Sequence, residues 1–404
     1  MKKTLDLSDV PGFRTGAAAC GLKRKRRGKD PLDIGLLWCP EGAAWAATLT
    51  RNRVAAAPVR LCAKRLRGAP RVRAVVVNAG NANACTGARG ARDAERMASL
   101  AARALGCAPS EVLVASTGVI GRPLPMDRVA LGVEAAARSA RARGRGALHK
   151  AILTTDLAIK RASAFARVGG RRVSVAGCAK GSGMIAPNMA TMLGFLATDA
   201  DISSGALRAI FKGAAVRTFN RVTVDGDTST NDSAFILASG AAGNRRVTRA
   251  GSRDAIALGR AIEEVSGELA RAIARDGEGA TKLVEVRVKR ARSEADAERA
   301  ARTVAESPLV KTALFGCDPN WGRVLAAAGR SGAALVEGKT RVSFNGVTVF
   351  RGRPLAPDAK KLARAFRARE VTVEVDLGLG KSEAAVWTCD LSYDYIKINA
   401  EYHT

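Results

Sequence analysis

The chain has 404 residues, which at roughly 150 residues per domain suggests two or three domains with ample material for a core. At 47% hydrophobic and 25% charged residues it reads as a globular protein, and no run nears the roughly 18 consecutive apolar residues of a membrane span, so no membrane partner is expected. Its 66 Lys and Arg against 37 Asp and Glu give a net charge of +29, which ordinarily raises a nucleic-acid hypothesis, but with only 4% aromatic residues for stacking no specific nucleic-acid partner is expected. The basic residues are spread over Ala/Arg-rich stretches such as "EAAARSARARGRGALHK", with one cluster in "GLKRKRRGKD" and no RRM, KH, zinc-finger or bZIP pattern. Solvated helix faces are the ordinary fate of such charge, and steering of anions is a further use for it.

In chain order, "MKKTLDLSDVPGF" opens with two lysines, but Asp6 and Asp9 interrupt what would be an apolar secretion core, so a cytoplasmic protein is expected. Strands are expected over "VRAVVVNAG" (72–80) and "EVLVAST" (111–117), and helices over "ARDAERMASLAARALG" (91–106) and "DRVALGVEAAARSARA" (127–142). "RRVSVAG" (171–177) is a strand, and the apolar "MLGFLA" (192–197) belongs to a buried strand expected to begin at Thr191. Helices follow over 204–219 and 252–274 on either side of the strand "SAFILASG" (233–240). Beyond "LVEVRVKR" (283–290) come a helix at 293–307, a hairpin around Asn345-Gly346, the strand "VTVEVDLGLG" (371–380) and an apolar strand ending in "INAEYHT" (398–404). Helices do not separate every pair of strands, so the fold class is α+β and layered rather than doubly wound.

Eight cysteines without a CxxC pair and two histidines, His149 and His403, make poor material for a zinc site or a disulfide framework, so no metal is expected. Most of the thiols should be small buried hydrophobes in a reducing compartment. No GxGxxG follows a strand and no GxxxxGK[ST] occurs, so nucleotide fingerprints are missing. What ordinary packing does not require is a set of polar islands. They are "VNAGNANACTG" (77–87), "ASTGVIG" (115–121), "LTTD" (153–156), "KGSGMIAPNMATML" (180–193), "VDGDTSTND" (224–232), "DGEGATK" (276–282), "GCDPNWGR" (316–323) and the terminal "INAEYHT". Singly, each reads as a loop; "VNAGNAN" is turn chemistry, and "VDGDTSTND" has the composition of an ion loop without EF-hand spacing.

In combination the islands resemble one family. "TRNRVAAAPV", "NAGNANACTG", "STGVIG", "GSGMIAPNMATML", "DGEGATK", "FGCDPNWGR" and "INAEYHT" stand in the order of the ornithine acetyltransferases, the ArgJ family of glutamate N-acetyltransferases of arginine biosynthesis. The similarity spans essentially the whole chain. It departs at Ala79, where the family often has Ser, and in its unusually basic charge.

The resemblance implies self-cleavage between Ala190 and Thr191, which makes Thr191 a new N-terminus and the nucleophile. A mid-chain threonine hydroxyl is weak, but an N-terminal one carries its own base, an α-amine with a reference pKa of about 7.7–8.0. The resemblance assigns the oxyanion hole to Thr117 and Gly118, and substrate contacts to Thr154, Lys180, Thr191, Glu278, Asn399 and Thr404. Lys180 then suits a substrate carboxylate, and Glu278 or the Thr404 carboxylate an ammonium. It further implies a ping-pong transfer of acetyl from N-acetylornithine to glutamate, without a cofactor, and in some members use of acetyl-CoA as co-substrate. The fold it implies is a layered αββα-type core over 1–280, of the self-processing N-terminal-nucleophile kind, with a smaller α/β domain over 281–404 whose tail returns to the site. Members assemble as dimers of the cleaved heterodimer. A self-processing aminopeptidase or amidohydrolase, with water as acceptor, is the rival reading.

Overall fold

The protein is described by a computed structural model over residues 4–24, 28, 30–68, 71–142, 147–186 and 192–401. Its first strand, β1 (Arg14–Ala18), pairs with one half of a 16-residue strand, β2 (Ile34–Leu49). There follow α1 (Ala57–Gly68), β3 (Val72–Asn81), α2 (Gly87–Leu105), β4 (Val112–Val119), α3 (Met126–Arg141) and a short α4 (Leu148–Ala151). Next come β5 (Lys160–Val168), β6 (Arg171–Lys180), β7 (Leu193–Thr198), α5 (Ser204–Arg217), β8 (Ser233–Ala238) and α6 (Arg253–Arg275). The remainder is β9 (Leu283–Ala291), α7 (Glu294–Ala305), α8 (Pro308–Phe315), α9 (Trp321–Gly329), β10 (Arg341–Phe344), β11 (Val347–Arg351), α10 (Ala359–Arg367), β12 (Glu370–Asp376), β13 (Ser382–Cys389) and α11 (Tyr393–Glu401).

Strand β2 is the hinge of the first sheet, whose order is β4-β3-β2-β8-β7-β6-β5. Its residues 34–38 pair with β3, its residues 44–49 pair with β8, and the register breaks between Trp38 and Ala43. The break lets one strand serve two leaves that fold over each other, as irregular positions commonly do where a sheet turns a corner. Between the leaves lie Trp45, Val75, Val77, Leu113, Phe195, Phe235 and Leu237. The Phe195 and Phe235 rings stack there with centroids 5.9 Å apart. Outside one leaf, Met97, Ala101, Val129 and Val133 of α2 and α3 cover Val76 and Val114. Outside the other, Leu207, Phe211, Ile262, Val265 and Leu269 of α5 and α6 cover Val173, Val175 and Leu196. Helix, sheet, sheet and helix thus form four layers, the α+β sandwich expected from the sequence.

A second sheet, ordered β11-β10-β12-β9-β13, is mixed, with β9 and β12 parallel. The alternating Val284, Val286 and Val288 of β9 and Val371, Val373 and Val375 of β12 pack with α7 in a core of their own. Leu283, Trp387 and Cys389 pack instead with the outer core of the first sheet and join the two bodies.

The tail corrects one expectation. The strand at the C-terminus is β13, which stops at Cys389, and the segment expected to run on as a strand into 398–404 is the helix α11 as far as Glu401. Asp390 turns the chain by accepting the N–H groups of Thr281 and Lys282 at 2.8 and 2.9 Å. Beyond that turn the backbone satisfies its hydrogen bonds helically, in α11. Strand β7 starts at Leu193, while Thr191, its expected first residue, lies outside the described residues.

Phe195→Ala empties the layer between the leaves. A loss of about 3–5 kcal/mol in denaturant unfolding is expected, because the rigid neighbours collapse only partly into such a cavity.

Candidate functional site

Lys180 closes β6 and pairs in register with Leu193, the first residue of β7, so its side chain lies at the sheet end from which β7 starts. It is nearly fully buried, and its ion-pair partner among the described residues is Asp156, with Nζ 3.8 Å from Oδ2. Asp156 also accepts from Lys160 Nζ at 2.8 Å, from the Gly181 amide at 2.7 Å and from the Thr154 amide at 3.0 Å. Burial pushes the Asp156 carboxyl toward neutrality, but the Lys180 and Lys160 charges and these hydrogen bonds outweigh it and hold the group below the usual carboxylate range. Lys160 is shared with Asp276, which follows the last turn of α6.

The residues after Lys180 form a bridge to Glu278. The Glu278 amide donates to the Ser182 carbonyl at 2.8 Å, and the Ser182 and Thr155 hydroxyls meet at 2.7 Å. A Cβ at Gly183 would lie 2.4 Å from Glu278 Oε2, so only glycine lets the carboxylate settle over the loop. Asn399 of α11 reaches back and donates from Nδ2 to Glu278 Oε2 at 3.0 Å. Thr154, Lys180, Glu278 and Asn399 therefore gather around residues 181–183, brought there by four separate segments.

"VDGDTSTND" does something other than the ion binding its composition suggests. Asp225 accepts from the amides of Met184 at 2.6 Å, Ile185 at 2.8 Å and Asp227 at 3.2 Å, and so clamps the end of the loop. Met184 takes the left-handed conformation there, with φ of 55°, a strained backbone for a non-glycine residue. Among the described residues no group of three or more His, Cys, Asp or Glu is placed to hold a metal. His149 is occupied by Asp6, 3.1 Å away.

Thr117 and Gly118 end β4, in the other leaf. A Cβ at Gly118 would lie 2.3 Å from the Gly80 carbonyl carbon, so glycine is needed where β3 and β4 converge. The asparagines of "VNAGNAN" shape this corner. Asn78 accepts from the Ser116 hydroxyl at 2.6 Å, and Asn81 donates to the carbonyls of Arg122 and Pro123 at 3.1 and 3.2 Å. Asn231 Nδ2 then ties the corner to β8 through the carbonyls of Ala82 at 2.6 Å and Ser116 at 2.9 Å.

Asp232, next to Asn231, was not singled out by the sequence. It is buried where β8 begins, and neither carboxyl oxygen has a hydrogen-bond partner among the described residues. Burial raises its pKa well above the carboxylate range, and the Lys180 charge opposes this too weakly to reverse it. The only signal for it in the chain is its place directly before an apolar strand. Ala190, Thr191 and Thr404 lie outside the described residues.

A buried ammonium and a carboxylate flanking one loop suit a zwitterionic substrate. A model of the ArgJ family matches residues 14–404. The arginine biosynthesis bifunctional protein ArgJ of Symbiobacterium thermophilum is 50% identical over 394 residues, covering 97% of each chain. That of Geobacter sulfurreducens is 48% identical over 398 residues, covering 98% of this chain and all of its own. A crystal structure of the protein of that name from Bacillus halodurans is 38% identical, covers 50% of this chain and 96% of its own, and has a TM-score of 0.49.

Because the folded pKa of Asp232 lies above its unfolded value, wild type loses stability as pH rises from about 4, the unfolded carboxyl value, toward the folded one. Asp232→Asn has no such proton to lose. Thermal melts should therefore show the variant gaining on wild type between pH 4 and pH 8, by at most about 1.4 kcal/mol per pH unit. A gap that does not change with pH would remove the neutral carboxyl.

Proposed function

Because the chain belongs to the ArgJ family, acetyltransferases of arginine biosynthesis, we propose that it cuts itself between Ala190 and Thr191 and moves acetyl from N-acetylornithine to glutamate through acetyl-Thr191. The observation that carries this reading is the gathering of Thr154, Lys180, Glu278 and Asn399 around the loop that leads toward residue 191.

In the first step the Thr191 hydroxyl adds to the Ala190 carbonyl, the peptide bond shifts to an ester, and water hydrolyses it, leaving a free α-amine on Thr191. That amine then takes the hydroxyl proton as the oxygen attacks the acetyl carbonyl of N-acetylornithine. The developing oxyanion accepts hydrogen bonds from the Thr117 hydroxyl and the Gly118 N–H, each worth about 2.7–4 kcal/mol in comparable sites. Collapse passes the proton to the departing ornithine nitrogen. The neutral α-amine of glutamate attacks the acetyl ester and leaves as N-acetylglutamate, restoring Thr191. Lys180 holds the substrate carboxylate; Glu278, with Thr404, receives the ornithine ammonium.

The bifunctional name of the relatives supports acetyl-CoA as a second acetyl donor. Residues 281–404 act as the smaller domain that brings α11 to the site, and the cleaved halves pair as a dimer of heterodimers. All eight cysteines are free and no helix among the described residues is long and apolar enough to cross a membrane, which supports work in the reducing cytoplasm.

On a denaturing gel with intact-mass measurement, the purified protein should separate into chains 1–190 and 191–404, and Thr191→Ala should run as one inactive chain. A full-length, active wild type would remove self-cleavage as the activating step. Incubation with N-acetylornithine, with and without glutamate, should give N-acetylglutamate only in its presence. Release of acetate without transfer would favour the amidohydrolase reading.

A further inference from the structure

Thr154 and Lys180 are distant in the chain yet answer to one group. The side chain of Asp156 is wholly shielded from solvent, so no substrate reaches it. Its Oδ1 accepts from Lys160 Nζ and the Gly181 amide, and its Oδ2 takes the Thr154 amide and faces Lys180 Nζ. We propose that Asp156 is the positioning residue of the substrate site, fixing Lys180, Thr154 and the start of the 181–183 loop in one constellation. The inference rests on the substrate roles given above to Lys180 and Thr154.

Two features set Asp156 apart from a merely structural carboxylate. First, with Lys160, Lys180 and Asp276 it forms a group of two cations and two anions in which Lys180 is the loosest member, 3.8 Å from Asp156 against 2.8 Å for Lys160. Lys160 takes the close contact, so the Lys180 ammonium keeps its donors for a ligand while its position is held. Second, both carboxylate oxygens face donors. An asparagine here must set its NH2 against either the Lys160 and Gly181 side or the Thr154 and Lys180 side, so loss of the charge also breaks the geometry.

Asp276 supplies the comparison. It shares Lys160 and accepts the amides of Leu157 and Ala158 at 3.2 and 3.3 Å, whereas the Thr154 and Gly181 amides are held by Asp156. Steady-state kinetics with N-acetylornithine and glutamate on the full, processed protein separates the two. For D156N we expect KM for N-acetylornithine to rise about 10- to 100-fold, the size of one lost hydrogen bond to a charged group. D276N, by contrast, should lower the melting temperature and leave KM within about twofold. Lost stability alone reduces the active fraction and hence kcat, not KM.

An unchanged KM in D156N, or an equal rise in D276N, overturns the role of Asp156. Should D156N fail to fold, D156E decides, because it keeps the charge and its counter-ions while moving the oxygens by one methylene: a raised KM is expected, and a wild-type KM refutes the proposal. Wild type assayed alongside keeps the two readings apart. No transfer by wild type refutes the proposed function, whereas transfer with wild-type KM in D156N refutes only this inference.

Discussion

A carboxylate buried where β6 ends is the constraint on which the site depends. Taking Asp156 out of water is costly, and a single ammonium in such a place often fails to offset the loss of solvation. The chain meets this with Lys160 and Lys180 on one carboxylate and Asp276 on the far side of Lys160, together with two backbone amides. Removing any member strands a buried charge, so β5, β6, residues 153–156 and the end of α6 are fixed relative to one another. Glu278 follows Asp276 by two residues, but it is held by the Ser182 carbonyl and by Asn399 rather than by this group.

The leaves of the sandwich supply the second constraint. Strand β2 spans both, so the corner built by β3 and β4 cannot drift from the end of β8 without breaking the ladder on one side. Asn231 adds a polar tie across that gap, spending both amide protons on carbonyls of the β3 and β4 corner. The adjacent Asp232 finds no such partner, and a buried carboxyl in that position is carried more cheaply as the neutral acid. One short polar run thus contains a clamp for the loop at Asp225, a tie between leaves at Asn231 and a proton-holding group at Asp232.

Local pattern was legible in the sequence wherever a single element could be read alone. The alternating valines of β9 and β12, the Asn345-Gly346 hairpin and the long amphipathic α6 each follow from residues adjacent in the chain. Strand β2 did not, because Pro40, Glu41 and Gly42 interrupt its alternation at the place where it crosses between leaves. Helix α11 failed for a related reason: "YIKIN" alternates like a strand, but after Asp390 turns the chain the segment pairs with itself as a helix. At the site, residue types and islands could be listed, yet the partner of Lys180 lies 24 residues upstream, in "LTTD", and nothing local marks that pairing. Contacts of this kind belong to the fold and not to any motif.

A ping-pong transfer asks one site to accept ornithine and then glutamate, whose side chains differ in charge. The arrangement of charge bears on this. Lys180 belongs to a neutral group of four, and Glu278 already accepts from the amide of Asn399. The Lys180 charge is thus balanced within its group, whereas the Glu278 carboxylate is hydrogen-bonded but keeps its charge. Asn399 also carries both a donor and an acceptor on one rotatable amide, and its Nδ2 is shared between Glu278 and the Tyr395 carbonyl at 3.0 Å each. In the proposed transfer the two substrates share the α-carboxylate and its neighbouring nitrogen, and this is also the part where the acetyl group moves. On the proposed reading, charge balance around Asp156 does more than hold the loop: it sets Lys180 against the shared α-carboxylate in both halves of the reaction.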